Sequence, residues 1–96
     1  MQGHYPRDSM LMRKYGITLE QFDRMLQNQH GKCAICKGPN PKATNWHVDH
    51  DHVSGQVRGL LCFACNTGIG QLQDDPNVIS AALSYVRKHR LTAVSA

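Results

Sequence analysis

The sequence predicts a small α+β domain in which a metal-stapled β-hairpin and the helix after it are flanked by further helices. Three observations predict it. Two cysteine pairs, Cys33-Ala-Ile-Cys36 and Cys62-Phe-Ala-Cys65, have metal-ligand spacing. Between them, two short β-prone runs at residues 46–50 and 57–61 are separated by the turn signal Ser54-Gly55-Gln56. On both flanks, apolar residues recur at helical period.

A chain of 96 residues makes one domain. We divide it into a helical N-terminal arm (1–31), a stapled core (32–73) and a C-terminal helix with its tail (74–96). A domain of this size buries a modest core, and four cysteines can supply the missing stability. The opening residues, MQGHYPRDSM, contain no apolar signal segment, and no stretch is long and apolar enough to span a bilayer. The expected setting is therefore intracellular, in the cytoplasm, where paired C-x-x-C spacing favours metal over disulfides. The net charge of +4 suits a polyanionic partner but does not identify one, because many basic proteins bind no nucleic acid.

Residues 8–15 read as a short helix ended by Gly16, with Met10-Leu11-Met12 available to dock on the body or on a second copy of the chain. Thr18 opens the next helix. Its spacing to Gln21 is that of a capping box, Leu19, Phe22 and Leu26 share one face, and Gly31 marks the stop. Residues 37–45, with Gly38, Pro39 and Pro41, read as a loop. The hairpin follows. The next helix is expected to open at Cys65 or Asn66, and Gly68 and Gly70 make it weak in propensity. Asp74-Asp75-Pro76 is an N-cap and N1 arrangement for a last helix carrying Val78, Ile79, Ala82, Leu83 and Val86 on one face. Arg87, Lys88, His89 and Arg90 read as its charge-complemented end, with phosphate contact as a second reading.

A C-x-x-C turn sets two sulfurs about 2.3 Å from one zinc ion, and two such turns complete a tetrahedron. Residues 37–61 separate the pairs, a somewhat long spacing that still accommodates a hairpin. We therefore assign Cys33, Cys36, Cys62 and Cys65 to a structural zinc. Three other readings stay open, the first being buried free thiols. Redox-active pairs would need a thioredoxin-like context for which this chain is too short, and a mixed set would draw on His30 or His47.

Between the pairs lies His47-Val-Asp49-His50-Asp51-His52. Alternation along a strand lets His50 and His52 point one way, with Asp49 opposite or turned by the bend. The bland readings are a solvated polar strand end or an additional structural metal site. The density of titratable groups beside a staple in a basic chain argues for chemistry instead. Arg58 has two equal readings, a phosphate contact or a strand-edge partner for a carboxylate. Trp46 reads as core packing ahead of base stacking. Asp51 either orients a histidine or faces water.

Taken together, Cys33-Ala-Ile-Cys36, His47-Val-Asp-His-Asp-His52, Val57-Arg-Gly-Leu-Leu-Cys62 and Cys65-Asn66 resemble the phage recombination endonuclease VII family of the wider His-Asn-His, or ββα-metal, nucleases. The resemblance spans residues 15–85 in motif order and spacing. It implies a ββα-metal nuclease core and a metal-dependent DNA endonuclease leaving a 5′-phosphate and a 3′-hydroxyl. A monomer is expected mainly to nick and a dimer to cut both strands, and with no extra recognition element visible the expected sequence specificity is low. The resemblance further implies that His50 is the general base and that Asp49 and Asn66 hold a catalytic magnesium or manganese ion. His52 would contact the scissile phosphate, and the four cysteines would bind zinc. The junction resolvases of the family carry a further C-terminal domain, and this chain ends soon after its last helix, so junction resolution is not expected. They are intertwined dimers, and Met1–Gln29 offers helices for a smaller homodimer contact.

The chemistry of these residue types agrees with that allocation. Imidazole titrates near neutral pH and suits proton abstraction from water. A hard divalent cation on few oxygen ligands keeps positions open for water and a phosphoryl oxygen. Two competing readings share parts of the pattern. A non-catalytic zinc-stapled nucleic-acid-binding module uses the cysteines and the basic charge, and would retain plasmid without breaking it. A zinc-dependent protein-interaction module would use Met10–Met12 and the Val78–Val86 face, and salt-sensitive DNA binding would argue against it.

Overall fold

The computed structural model describes residues 6–39 and 46–95, with side chains at 9–39 and 46–90. The elements run α1 (Pro6–Tyr15), α2 (Leu19–Asn28), β1 (His47–His50), β2 (Val57–Leu61), α3 (Phe63–Gln71) and α4 (Pro76–Ser95). They form two compact units, Met1–Cys65 and Asn66–Ala96.

In the first unit, α1 ends at Gly16, whose φ of 71° is a left-handed conformation that glycine adopts without penalty. Thr18 caps α2 as its spacing predicts. Its hydroxyl accepts from the Gln21 amide at 3.0 Å, and the Gln21 side chain accepts from the Thr18 amide at 2.8 Å. His30 and Gly31 then turn the chain sharply with φ of 56° and 70°. The Gly31 amide donates to the Leu26 carbonyl at 2.9 Å. The core is Leu11, Ile17, Phe22, Val48 and Leu60, with Tyr15, Leu19, Met25, Leu26, Trp46 and Val57 packed around it. Trp46 is thus a packing residue, and Leu11 docks on the body while Met10 and Met12 stay exposed.

β1 and β2 are antiparallel, pairing His47 with Leu61, Val48 with Leu60 and Asp49 with Gly59. His50 then pairs with Val57, so Arg58 is an extra residue in a β-bulge. Gln29, at the C-terminal cap of α2, serves the outer edge of β2 as a substitute strand. Its side-chain oxygen accepts from the Leu60 amide at 2.9 Å, and its Nε2 donates to the carbonyls of Leu60 and Lys32 at 3.0 and 2.8 Å.

Four expected boundaries move. α1 opens at Pro6 rather than at residue 8, and β1 at His47 rather than at Trp46. α3 opens at Phe63 rather than at Cys65 or Asn66. Cys62 then stands at the cap and Cys65 in the first turn, which keeps the pair at one helix end. α4 runs on to Ser95 instead of closing at Arg87–Arg90, because residues 91–95 contain neither Gly nor Pro. The basic run is therefore inside the helix and does not complement its end. Its start is as expected: the Asp75 carboxylate accepts from the Asn77 amide at 2.8 Å, ahead of Pro76. The turn before it uses left-handed Gln73 and Asp74. Of the expected loop at 37–45, residues 40–45 lie outside the described residues.

Candidate functional site

Two groups of side chains occupy the first unit, one where β2 runs into α3 and one at the C-terminal end of β1. The first is the cysteine staple. The ligand atoms of Cys33, Cys36, Cys62 and Cys65 all lie within 4.8 Å of one another, and the Cys36 and Cys62 sulfurs are 3.9 Å apart. A tetrahedron of zinc–sulfur bonds has edges of about 3.8 Å, so the four sulfurs are clustered as a zinc site. Neither His30 nor His47 joins them among the described residues; the His47 ring lies 5.8 Å from that of Phe63.

Local backbone geometry builds this cluster. Left-handed Lys37 (φ 63°) closes the first knuckle, with the Lys37 amide on the Cys33 carbonyl at 3.0 Å and the Cys33 amide on the Gly38 carbonyl at 2.9 Å. Amides of Ile35, Gly38 and Cys62 donate to the sulfurs. Burial alone would push the Cys33 thiol up, but the amides of Cys62, Cys36 and Ile35 outweigh it and bring the group down to about 6. Cys65 moves the other way, to about 12, through burial and then the neighbouring thiols and the Cys33 charge. One thiolate is thus easy to form and the next is opposed by it. A divalent cation removes that conflict, since a coordinating thiol is deprotonated outright.

The second group stands at the other end of β1. His50 and His52 present their rings to each other, with centroids 5.3 Å apart, and Tyr15 of α1 lies 6.3 Å from His50. The two histidines do point the same way. Asp49, whose side chain is only 12% exposed, is held by Arg58 through two hydrogen bonds: Nε to Oδ2 at 2.6 Å and Nη2 to Oδ1 at 3.1 Å. Of the two readings of Arg58, the carboxylate partner is the one in place. Asn66 follows Cys65 on α3 and opens the second unit.

Asp51 closes the hairpin turn rather than orienting a histidine. Its Oδ1 accepts from the amides of Val53 (2.7 Å) and Ser54 (3.2 Å), and its carbonyl accepts from Gly55 at 2.7 Å. Those two side-chain bonds hold its carboxyl below the usual range. Sequence reasoning missed Gln29 and Tyr15, since nothing local marks a helix-end amide for a strand edge or a helix-end phenol for a neighbour of His50. The Asp51-to-Gly55 spacing did carry an Asx-turn signal.

Comparison with known proteins adds to this geometry. The family model described as recombination endonuclease VII matches residues 8–88. The chain is 40% identical over 82 residues to the Gene 59 protein of Mycobacterium phage D29, covering 84% of this chain and 50% of that protein. It is 36% identical over 80 residues to the Gene 59 protein of Mycobacterium phage L5, covering 82% and 49%. The chain thus spans about half the length of these curated relatives. Among solved structures, the beta-beta-alpha-Me type II restriction endonuclease Hpy99I superposes with a TM-score of 0.56 at 27% identity, over 74% of this chain and 40% of that one. No helix among the described residues is long and apolar enough to cross a membrane. With most of its length, residues 8–88, matched by one family model, the chain belongs to the recombination endonuclease VII family.

Proposed function

We propose that this chain is the nuclease unit of a metal-dependent DNA endonuclease that hydrolyses phosphodiester bonds. The observation that carries the reading is the paired imidazoles of His50 and His52, 5.3 Å apart at the end of the strand that also bears Asp49. In this reading His50 takes a proton from the attacking water, and His52 orients the scissile phosphate by hydrogen bonding. Asp49, with Asn66 as the second ligand that the family resemblance implies, would hold a magnesium or manganese ion. The donor chemistry of Asp49 fits a cation, because its nearly buried carboxylate already binds a positive group through both oxygens. A divalent ion held there would supply charge neutralisation to the phosphoryl group and the leaving oxygen. The four cysteines hold a structural zinc that fixes the hairpin to the start of α3, the helix on which Asn66 follows Cys65.

Supercoiled plasmid is the test. Zinc-loaded protein with magnesium or manganese is expected to nick or linearise it, and EDTA to stop it. His50→Ala is expected to lower the rate by about 100-fold or more while thermal unfolding is unchanged. Equal rates for His50→Ala and wild type would sink the assignment. The Arg58–Asp49 pair is the observation that favours the alternative, a zinc-stapled nucleic-acid-binding module without catalysis. Gel retention of plasmid with no strand break in any divalent metal would establish that alternative. A homodimer through the N-terminal helices would bring two such sites together for double-strand cutting, and sedimentation of the zinc-loaded protein tests it.

A further inference from the structure

The bulge in β2 has a chemical consequence at Asp49. In a regular antiparallel ladder, directly paired residues share a face and successive residues alternate. Asp49 pairs with Gly59, so Arg58, next to Gly59, would point to the opposite face. The extra residue at 58 breaks that rule and turns the arginine back. Its guanidinium then grips both oxygens of the one carboxylate that the functional reading gives to a divalent ion. A forked, charge-assisted pair of this kind takes up the lone pairs that a metal ion would need.

A second observation concerns the surroundings of Arg58. It also borders a shallow groove, about 330 Å³, lined by the apolar Ile17, Met25 and Val57 together with the polar Gln21, Arg24 and Asn28. The polar part of that lining contains a cation and amides but no carboxylate, which suits a phosphodiester and not a cation. Arg58 thus stands between a carboxylate and a surface fit for phosphate.

We propose that Arg58 is an exchangeable cation for Asp49: its guanidinium occupies the carboxylate until a divalent ion replaces it, and it then binds a DNA phosphate in the groove beside Arg24. This rests on the reading of Asp49 as a metal ligand. Exchange links two events that a nuclease must coordinate. Loading of the ion releases a positive group toward the substrate, and a phosphate that draws Arg58 away opens Asp49 to the ion. By linkage, each event favours the other.

The primary measurement needs no cleavage. Manganese binding to zinc-loaded protein is titrated by electron paramagnetic resonance, without DNA, for wild type, Arg58→Gln, Arg58→Lys and Asp49→Asn. If the pair is formed about 80–95% of the time, it weakens apparent metal binding about five- to twentyfold. Arg58→Gln is expected to bind manganese more tightly by that factor. Arg58→Lys cannot bridge both oxygens and should fall between, which keeps the test alive if Arg58→Gln does not fold. Asp49→Asn should lose the site. Unchanged or weaker binding in both Arg58 variants, with an Asp49-dependent site intact in wild type, overturns the exchange and leaves the nuclease reading standing. No Asp49-dependent manganese site in any of these proteins overturns both.

The destination of the arginine is tested in a His50→Ala background, where DNA survives. At saturating manganese, Arg58→Gln is expected to reduce the slope of log affinity against log salt by about one phosphate contact, and to reduce it by less without metal. Equal reductions in both conditions would make Arg58 a permanent phosphate contact and overturn the exchange.

Discussion

The staple and the His-Asp-His end of the hairpin use the same strands in opposite ways. At the staple, four sulfurs converge and backbone amides donate to two of them, those of Cys33 and Cys36. At the other end, His50 and His52 are exposed, and the shielded carboxylate of Asp49 is satisfied by a side chain on a bulge. One end is built to hold an ion permanently. In the proposed exchange, the other holds Asp49 in reserve with an arginine that has a phosphate to go to, and a rigid staple would let that end change partners without loosening the hairpin.

The most severe way to break this contrast is to strip the staple. Structural zinc contributes about 10–16 kcal/mol of apparent binding free energy in small zinc peptides, as much as the whole stability of a typical domain. Prolonged chelation, or Cys33→Ser, is expected to abolish the near-ultraviolet circular dichroism of the Met1–Cys65 unit. Removing magnesium or manganese from the zinc-loaded protein should leave that spectrum and the unfolding temperature as they were. A zinc-free protein with an unchanged unfolding temperature would show that the core of Leu11, Phe22, Val48 and Leu60 suffices, and the contrast would be lost.

The two ends also differ in how far the sequence discloses them. Both cysteine pairs, the Thr18 capping box, the β2 boundaries and the Asp75-Pro76 helix start are local patterns with a fixed spacing, and each appears in the fold where the pattern puts it. The family was legible for the same reason, because its motifs are contiguous. The Arg58–Asp49 grip was open to two readings, since it depends on a one-residue slip in strand register that no residue type announces. The early start of α3 was hidden because Phe63 and Ala64 carry no cap signal. Gln29 was invisible because its partner, Leu60, is remote in the chain and is contacted through backbone atoms only.

Gln29 gives the next, smaller test, because it joins α2 to the strand shared by both ends. Gln29→Ala leaves the buried Leu60 amide without its partner, while the Leu60 carbonyl keeps the amide of Ala34 at 3.2 Å. One orphaned buried donor costs about 1–3 kcal/mol. Urea unfolding of the zinc-loaded protein should register a loss in that range. A Cβ at Gly59 would come within 3.3 Å of the Gln29 side-chain oxygen, so Gly59→Ala is expected to destabilise through the same contact. A double variant should then lose less than the sum of the two singles. Strict additivity would mean that Gln29 and Gly59 act on different parts of the strand.

The smallest expected effect comes from the turn that separates His50 and His52 from β2. Asp51 is a carboxylate whose folded value lies below its ordinary one, through the amides of Val53 and Ser54. The folded protein therefore favours the charged form, and the stabilisation is complete above the ordinary aspartate range. It disappears as pH falls through the lowered folded value. Asp51→Asn keeps an oxygen for the two amides but carries no charge at any pH. Wild type should melt slightly higher than Asp51→Asn at neutral pH, and the difference should close in acid below about pH 4. Asp51→Ala removes the acceptor as well, so it should melt below both at neutral pH. If wild type and Asp51→Asn differ by the same amount in acid as at neutral pH, charge has no part in the turn, and the hairpin tip is set by Gly55 and backbone geometry alone.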